Sequence, residues 1–362
     1  MRKKVIVSVT NDISTDQRVF KVCNSLQAMG FEVELIGVSR PWSVALNREY
    51  ICKRIKLCFN TGPLFYFEYN IRLFLLLLFK PASILLSNDL DTLLANYLIS
   101  KLKNIPLVYD SHELFPEAPE LLERPLKKRL WECLESFLLP KIKHAYTVCE
   151  SIQLHYKALH GIDMKVVRNV PNLCSQPSRD RNTKTLLYQG NINPGRGLEV
   201  AIKSMSFLPD YRLKIIGNGI GLNKLKLLSE SEGVSNQVKF LGRLPFEDLK
   251  KHTESASIGI LFEEPLGLSF EYSLPNKLFD YIHAETPVIA SPLIEVKKIV
   301  EKYNVGELLV DRNPEHIAQQ IQAMEYKLST YEFIKAKSEL NWKNEHEVLE
   351  SIFSIFQDKV KN

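Results

Sequence analysis

Thr185-Leu186-Leu187-Tyr188-Gln189-Gly190-Asn191-Ile192-Asn193-Pro194-Gly195-Arg196-Gly197-Leu198-Glu199 passes from an apolar run through a glycine-rich turn into a stretch of helical spacing. Glycines let the backbone approach a ligand at such a strand-to-helix turn, and Arg196 stands where the next helix begins. A tight turn with a surface arginine explains the same residues equally well. What decides the fold is the order strand, glycine turn, helix, because it recurs in both directions. Downstream it returns at Arg212–Ile216, Val238–Leu241, Ser257–Phe262, Val288–Ala290 and Glu307–Val310. Upstream the strand-like runs are Val5–Thr10, Glu32–Val38, Ile84–Ser87, Leu107–Asp110 and Ala145–Cys149. Apolar strands alternating with amphipathic helices predict parallel sheets covered on both faces. The rhythm breaks at Asn169–Asn172 and the polar stretch Ser175–Lys184, which places an interdomain linker near 170–184.

A chain of 362 residues is too long for one ordinary core. The expected division is two Rossmann-like α/β domains, 1–170 and 171–340, followed by a terminal segment, 341–362. With 45% apolar and 25% charged residues, the composition is that of a folded globular chain. The six cysteines (Cys23, Cys52, Cys58, Cys133, Cys149, Cys174) show no CxxC pair and no histidine at zinc-ligand spacing. A reducing cytoplasm is therefore expected. Val5–Thr10 is too short for a signal-peptide core, and the longest apolar run, Leu73–Phe79, falls far below the ~18 residues of a membrane span. The net charge of +5 sits entirely in the first half, where residues 1–165 carry 22 Lys and Arg against 17 Asp and Glu. Such an excess suits nucleic acid, an anionic lipid or a phosphate-bearing substrate, or is simply a solvated surface.

Open parallel sheets bind ligands at the carboxyl ends of their strands, so the loops after the strands carry the candidate chemistry. Ile216-Gly217-Asn218-Gly219-Ile220-Gly221 is a second glycine loop of the same kind. In Leu274-Pro275-Asn276-Lys277-Leu278-Phe279-Asp280-Tyr281, Pro275 suits a first helical turn whose free N–H groups and Lys277 favour an anion. Asp280, one turn further in, is placed to accept hydrogen bonds from ribose hydroxyls. An ordinary amphipathic helix with a surface Lys–Asp pair is the plainer alternative.

Leu261-Phe262-Glu263-Glu264-Pro265, the Leu274–Ile282 segment and Thr286-Pro287-Val288-Ile289-Ala290-Ser291 together resemble the donor-site signature of retaining family 4 glycosyltransferases. Thr10-Asn11-Asp12-Ile13-Ser14-Thr15-Asp16-Gln17-Arg18-Val19 and Tyr109-Asp110-Ser111-His112-Glu113-Leu114-Phe115-Pro116-Glu117 are similar to a branch of that family found in bacterial surface-polysaccharide clusters. The resemblance implies a GT-B fold of two Rossmann-like domains whose last helix, after Asn341-Trp342, crosses back to the N-terminal domain. It implies a donor site in which Arg196 and Lys277 meet the diphosphate, Gly190, Asn191, Gly217 and Gly219 line it, and Arg243 and Leu244 lie beside the base. Asn276, Glu271 and Asp280 complete that site, with Asp280 at the ribose. On the N-terminal side it implies that His112 reaches the reacting sugar, with Asp16, Arg18 and Glu113 toward the acceptor. Three positions depart from the pattern: Asn191 stands where arginine is frequent, Asp280 shortens the usual glutamate, and Tyr272 takes the place of the first paired glutamate, with Glu271 one residue away. Asn88-Asp89-Leu90-Asp91 imitates a carboxylate pair for Mg²⁺. Its expected role is to start and cap the helix Thr92–Lys101, so no metal and no other cofactor is expected.

The implied function is transfer of a sugar, with retention, from a nucleoside diphosphate sugar to a glycan or lipid-linked acceptor in surface polysaccharide synthesis. A nucleotide-sugar epimerase or a non-catalytic nucleotide-sugar-binding partner of an assembly complex fits the same fold. Nucleic acid is not an expected partner. Leu64-Phe65-Tyr66-Phe67 and Leu73–Phe79, flanked by Arg72 and Lys80, together with Arg124, Lys127-Lys128-Arg129 and Trp131, suggest a peripheral contact with the inner face of an anionic membrane. A helix buried against the sheet accounts for the leucines equally well.

Overall fold

The computed structural model describes residues 2–357 except 15, 42, 119, 120, 122 and 174–183. It divides into two compact units, residues 1–169 with 345–362, and residues 170–344. Most of the expected linker, and Cys174 with it, lies outside the described residues.

In the first unit seven parallel strands lie in the order β3-β2-β1-β4-β5-β6-β7. They are β1 (Lys4–Ser8), β2 (Glu32–Val38), β3 (Ile51–Ile55), β4 (Ile84–Asn88), β5 (Leu107–Ser111), β6 (His144–Thr147) and β7 (Lys165–Val166). Strands β1, β4 and β5 are buried almost throughout, as parallel strands must be when helices cover both faces. Those helices are α1 (Gln17–Ala28), α2 (Gly62–Phe79), α3 (Leu90–Lys103), α4 (Pro125–Leu138) and α5 (Glu150–His160). Strands β3 and β7 were not expected: β3 is an edge strand with Lys53 and Arg54 in it, and β7 has two residues.

The second unit has six parallel strands in the order β10-β9-β8-β11-β12-β13. They are β8 (Thr185–Gln189), β9 (Arg212–Ile216), β10 (Val238–Gly242), β11 (Ile258–Leu261), β12 (Val288–Ala290) and β13 (Gly306–Leu308). Its helices are α6 (Leu198–Ser204), α7 (Leu222–Ser231), α8 (Phe246–Ser255), α9 (Leu268–Glu271), α10 (Asn276–His283), α11 (Ile294–Tyr303), α12 (Pro314–Glu325) and α13 (Ile334–Glu339). Both sheets are therefore Rossmann-like, with strand order reversing between β1 and β4 and between β8 and β11. The reversal opens a crevice at the carboxyl edge, the usual ligand position in such sheets.

The last helix, α14 (Trp342–Phe353), starts in the second unit and from Glu345 onward belongs to the first. Glu345 accepts the Arg168 amide at 2.8 Å, Lys165 donates to Ser351 at 2.6 Å, and the Phe353 ring meets Phe31 edge-on at 6.1 Å.

One expectation about α2 is corrected. The helix runs for 18 residues, Gly62–Phe79, and is long and apolar enough to cross a membrane by length and composition. Counting only the uninterrupted run from Leu73 missed this, because Glu68, Asn70 and Arg72 punctuate an otherwise apolar helix. Phe65, Tyr69, Leu73 and Leu77 face inward at i, i+4 spacing, whereas Leu64, Phe67, Ile71, Leu75 and Phe79 are exposed. Helix α2 is thus a surface helix apolar on both sides.

Candidate functional site

The crevice of the second unit is built by two glycine loops that grip each other. Gly190 follows β8 and Gly217 follows β9, with φ of 135° and 145°, a region that favours glycine. A Cβ on Gly217 would lie 1.8 Å from the Gly190 carbonyl oxygen, and one on Gly219 would lie 2.2 Å from that of Ile192. Backbone bonds from Gly190 to Ile216, Ile192 to Asn218 and Gly221 to Ile192 close the pair. Much of the glycine pattern is therefore explained by loop-on-loop packing. What the packing leaves is a hollow of about 430 Å³ lined by Asn191, Asn193, Asn218, Gly219, Ile220 and Arg243.

Beside it stands a cluster of three charges. Glu263, just past β11, is 1% exposed, and its Oε1 lies 2.6 Å from Lys277 Nζ and 3.8 Å from Arg196 Nη1. Lys277 is itself buried, on the first turn of α10, with its ammonium 4.0 Å above the Tyr188 ring. Arg196 stacks 5.0 Å from the Phe270 ring, and its Nε is buried with no protein partner among the described residues. A buried guanidinium N–H left without an acceptor costs free energy that a ligand oxygen recovers. Arg312 fixes the cluster from behind, donating to the carbonyls of Phe262 and Glu263 and to Ser291 Oγ. Two cations against one carboxylate leave a net positive charge at a strand end.

The other expected donor residues are distributed around this centre. Leu244 follows Arg243 and is half-buried, and Asn276 is exposed at the start of α10. Pro275 occupies the cap before α10 rather than its first turn. Asp280 accepts a hydrogen bond from Gln189 Nε2 at 2.9 Å and lines a narrow slot with Phe246 and Thr253. Glu271 lines another hollow of about 410 Å³ with Ser291, Leu293 and Arg312. Glu263, Gln189 and Arg312 were not singled out from sequence. Nothing in their spacing marks them, although Glu263 sits inside the segment that carried the resemblance.

In the first unit the crevice holds a histidine between two carboxylates. His112 follows β5, its Nδ1 3.1 Å from Asp89 Oδ2 and its Nε2 3.2 Å from Asp110 Oδ2. Asp89 also accepts the His112 backbone N–H at 2.8 Å. Burial works against the imidazolium, but Asp89 and Asp110 outweigh it and raise the His112 pKa well above its ordinary value. Asp110 is fully buried, which opposes its charge, yet Arg18 and His112 hold its pKa down to about 2. Asp91 goes the other way. Burial and the Asp89 charge push it up to about 8, although Thr10 Oγ1 donates to it at 2.5 Å.

These contacts correct the helix-cap assignment. Asp89 does occupy the cap position of α3, but with φ of 58° and no side-chain capping bond. Its carboxylate is turned to His112 instead, and Asp91 is buried against Thr10. Arg18, expected toward the acceptor, is buried, and its guanidinium is bound to Asp110 and to the Val167 carbonyl. Asp16 caps α1 by accepting from Val19 N at 3.0 Å. The Glu113 side chain is exposed, and the carboxylates against the imidazole are those of Asp89 and Asp110. Among the described residues no group of three His, Cys, Asp or Glu side chains is arranged to hold a metal ion.

Residues 16–173 match the model described as Glycosyltransferase Family 4, and residues 172–337 match that described as Glycosyl transferases group 1. No curated protein matches the chain. Among solved structures it is similar to sucrose-phosphate synthase from Thermosynechococcus elongatus, with TM-score 0.72 and 15% identity over 98% of this chain and 96% of that one. It is also similar to Anabaena HepE in complex with UDP-glucose, with TM-score 0.74 and 13% identity over 97% and 99% of the two chains. A glycosyltransferase from Rickettsia africae matches with TM-score 0.70 and 16% identity over 99% and 100%. At these identities the likeness is one of fold, the GT-B arrangement of two Rossmann-like domains.

Proposed function

We propose, from the premise that the chain is built of two glycosyltransferase domains matched over residues 16–337 on a GT-B fold, that it transfers a hexose-type sugar from a nucleoside diphosphate sugar. In this reading the transfer proceeds with retention, to a glycan or lipid-linked acceptor held by the N-terminal domain, in surface polysaccharide synthesis. The observation that carries the reading is the Arg196 Nε left without a protein acceptor beside Lys277, at the strand ends where the glycine loops open a polar hollow. As the bond from sugar to diphosphate breaks, negative charge grows on the leaving oxygen, and fixed cations in a dry setting stabilise it without reorganising. Arg196 and Lys277 are those cations, and Glu263 holds Lys277 in place. HepE, a structural neighbour, is in complex with UDP-glucose, which supports a donor of this class. His112 supplies a positive charge on the acceptor side, with no side-chain nucleophile and no resident metal required.

The exposed apolar faces of α2 and α4 support peripheral attachment to an anionic leaflet, where a lipid-linked acceptor is held. Leu126, Leu130 and Phe137 of α4 are exposed beside Lys127 and Arg129. Trp131 packs on Tyr66 and Phe115.

The test is turnover of nucleoside diphosphate sugars by the purified protein, reading released nucleoside diphosphate with and without a lipid-linked acceptor. The anomeric configuration of the product, read by NMR, decides retention. Nucleotide binding without turnover under all acceptors would favour the non-catalytic partner instead.

A further inference from the structure

Gln189 closes β8 and is buried, and both ends of its amide are engaged. Thr253 Oγ1, on α8, approaches its Oε1 at 2.8 Å, and its Nε2 donates to Asp280 Oδ2, on α10, at 2.9 Å. The Thr253 hydroxyl shares its hydrogen with the Leu249 carbonyl at 2.9 Å. A carboxylate accepts only from the N–H end of an amide, so Asp280 fixes which way the amide faces, and the Thr253 hydroxyl meets the oxygen end that this leaves. Three elements are thereby tied together at the wall of the slot that Phe246 and Asp280 line.

We infer that Gln189 is a positioning residue, holding the short Asp280 side chain so that its carboxylate accepts the paired 2′- and 3′-hydroxyls of a ribonucleotide. This rests on the nucleotide-donor reading above. An aspartate reaches one methylene less far than a glutamate, and a carboxylate free to rotate loses orientation with each hydroxyl it must meet. The Gln189 amide restrains that rotation, since its donor end faces Oδ2 and its oxygen end is held by the Thr253 hydroxyl. Supporting residues of this kind set the geometry of groups they never replace.

The experiment is calorimetric binding of UDP, 2′-deoxy-UDP and UMP, with GDP and 2′-deoxy-GDP or ADP and 2′-deoxy-ADP substituted if another base binds better. Wild type is expected to prefer the ribonucleotide by about tenfold, the loss of one hydrogen bond to a charged group. Gln189→Ala should erase most of that preference while leaving the preference for diphosphate over monophosphate unchanged, a separation that a merely structural role would not produce. Asp280→Glu alone should bind poorly, because the longer side chain meets the Gln189 amide, and Gln189→Ala/Asp280→Glu should recover the ribose preference. If Gln189→Ala fails to fold, Thr253→Val keeps the shape, removes the hydrogen bond that anchors the amide oxygen and should weaken the preference in the same direction. An unchanged ribose preference in Gln189→Ala or in folded Thr253→Val, or no preference in wild type, overturns the inference and leaves the donor reading standing. Absence of binding to any nucleoside diphosphate overturns the donor reading itself.

Discussion

Asp91 and His112 both hold protons more tightly folded than unfolded, and Asp110 holds its proton less tightly. For a raised pKa the stabilising contribution is complete below the unfolded value and is lost as pH rises through the folded one. Asp91, pushed up to about 8, therefore withdraws stability as pH climbs from the ordinary carboxylate range to about 8, and His112, raised well above its ordinary value, withdraws it as pH climbs from neutral to alkaline. Asp110, at about 2, withdraws it only as pH falls below the ordinary carboxylate range. Thermal melts from pH 6 to pH 9 should show a falling midpoint, and Asp91→Asn, which keeps an acceptor for Thr10 and carries no titrating proton, should flatten part of the fall. Equal slopes in the two proteins would remove Asp91 as a source. Arg196 offers the contrasting case of a side chain 27% exposed whose value lies in what it meets. Arg196→Ala should lower kcat by about 10²–10³-fold, the typical loss of one transition-state donor, with little change in melting temperature. Unchanged turnover would take Arg196 out of the site.

Helix α2 was legible as apolar but not as to which side it buries. Its Leu73–Phe79 run places apolar groups all round the helix, and periodicity carries no information when every position is filled alike. The fold supplies the distinction: Leu73 is fully buried and Leu75, two positions on, is half-exposed. Leu73→Ala should cost about 2–5 kcal/mol and Leu75→Ala within about 0.5 kcal/mol, measured by chemical denaturation. Similar losses at both would mean that Leu75 is also covered. The outward stripe has its own consequence. Wild type should pellet with anionic vesicles at low salt, whereas Phe67→Ser/Phe79→Ser and Lys127→Glu/Arg129→Glu should not. Lys128 is spared in this design because its Nζ lies 2.6 Å from Glu117. A wild type that stays in the supernatant with anionic and neutral vesicles alike rules out attachment through this face. Strands β3 and β7 escaped the sequence for the opposite reason, being too short or too charged to stand out from loop.

Across the molecule, the alternation of strands and helices was readable because parallel strands buried on both faces leave strong apolar runs. His112 could be named because it follows a strand, and Arg196, Lys277 and Asp280 because they lie at or just inside the start of a helix in segments that carry the resemblance. Their partners could not be named, because Glu263, Gln189 and Asp89 acquire their roles from residues distant in sequence. Asp89 is the sharpest instance, since its place at the start of a helix suggested a cap and the fold gives it a histidine. With Asp89 and Asp91 so engaged, transfer should continue undiminished in excess EDTA, and full loss restored by Mg²⁺ or Mn²⁺ would return them to a metal. The division of the first unit into residues 1–169 and 345–362 bears on how the chain is made. On the ribosome, the segment carrying Phe31 and Arg168 emerges early, yet the Phe353 and Glu345 that complete it follow only after the whole second unit. At about 5–20 residues per second, that delay is on the order of 10–30 s. During it, the half translated first is the half still unfinished, with apolar surface open to chaperones, while its continuous neighbour is translated whole.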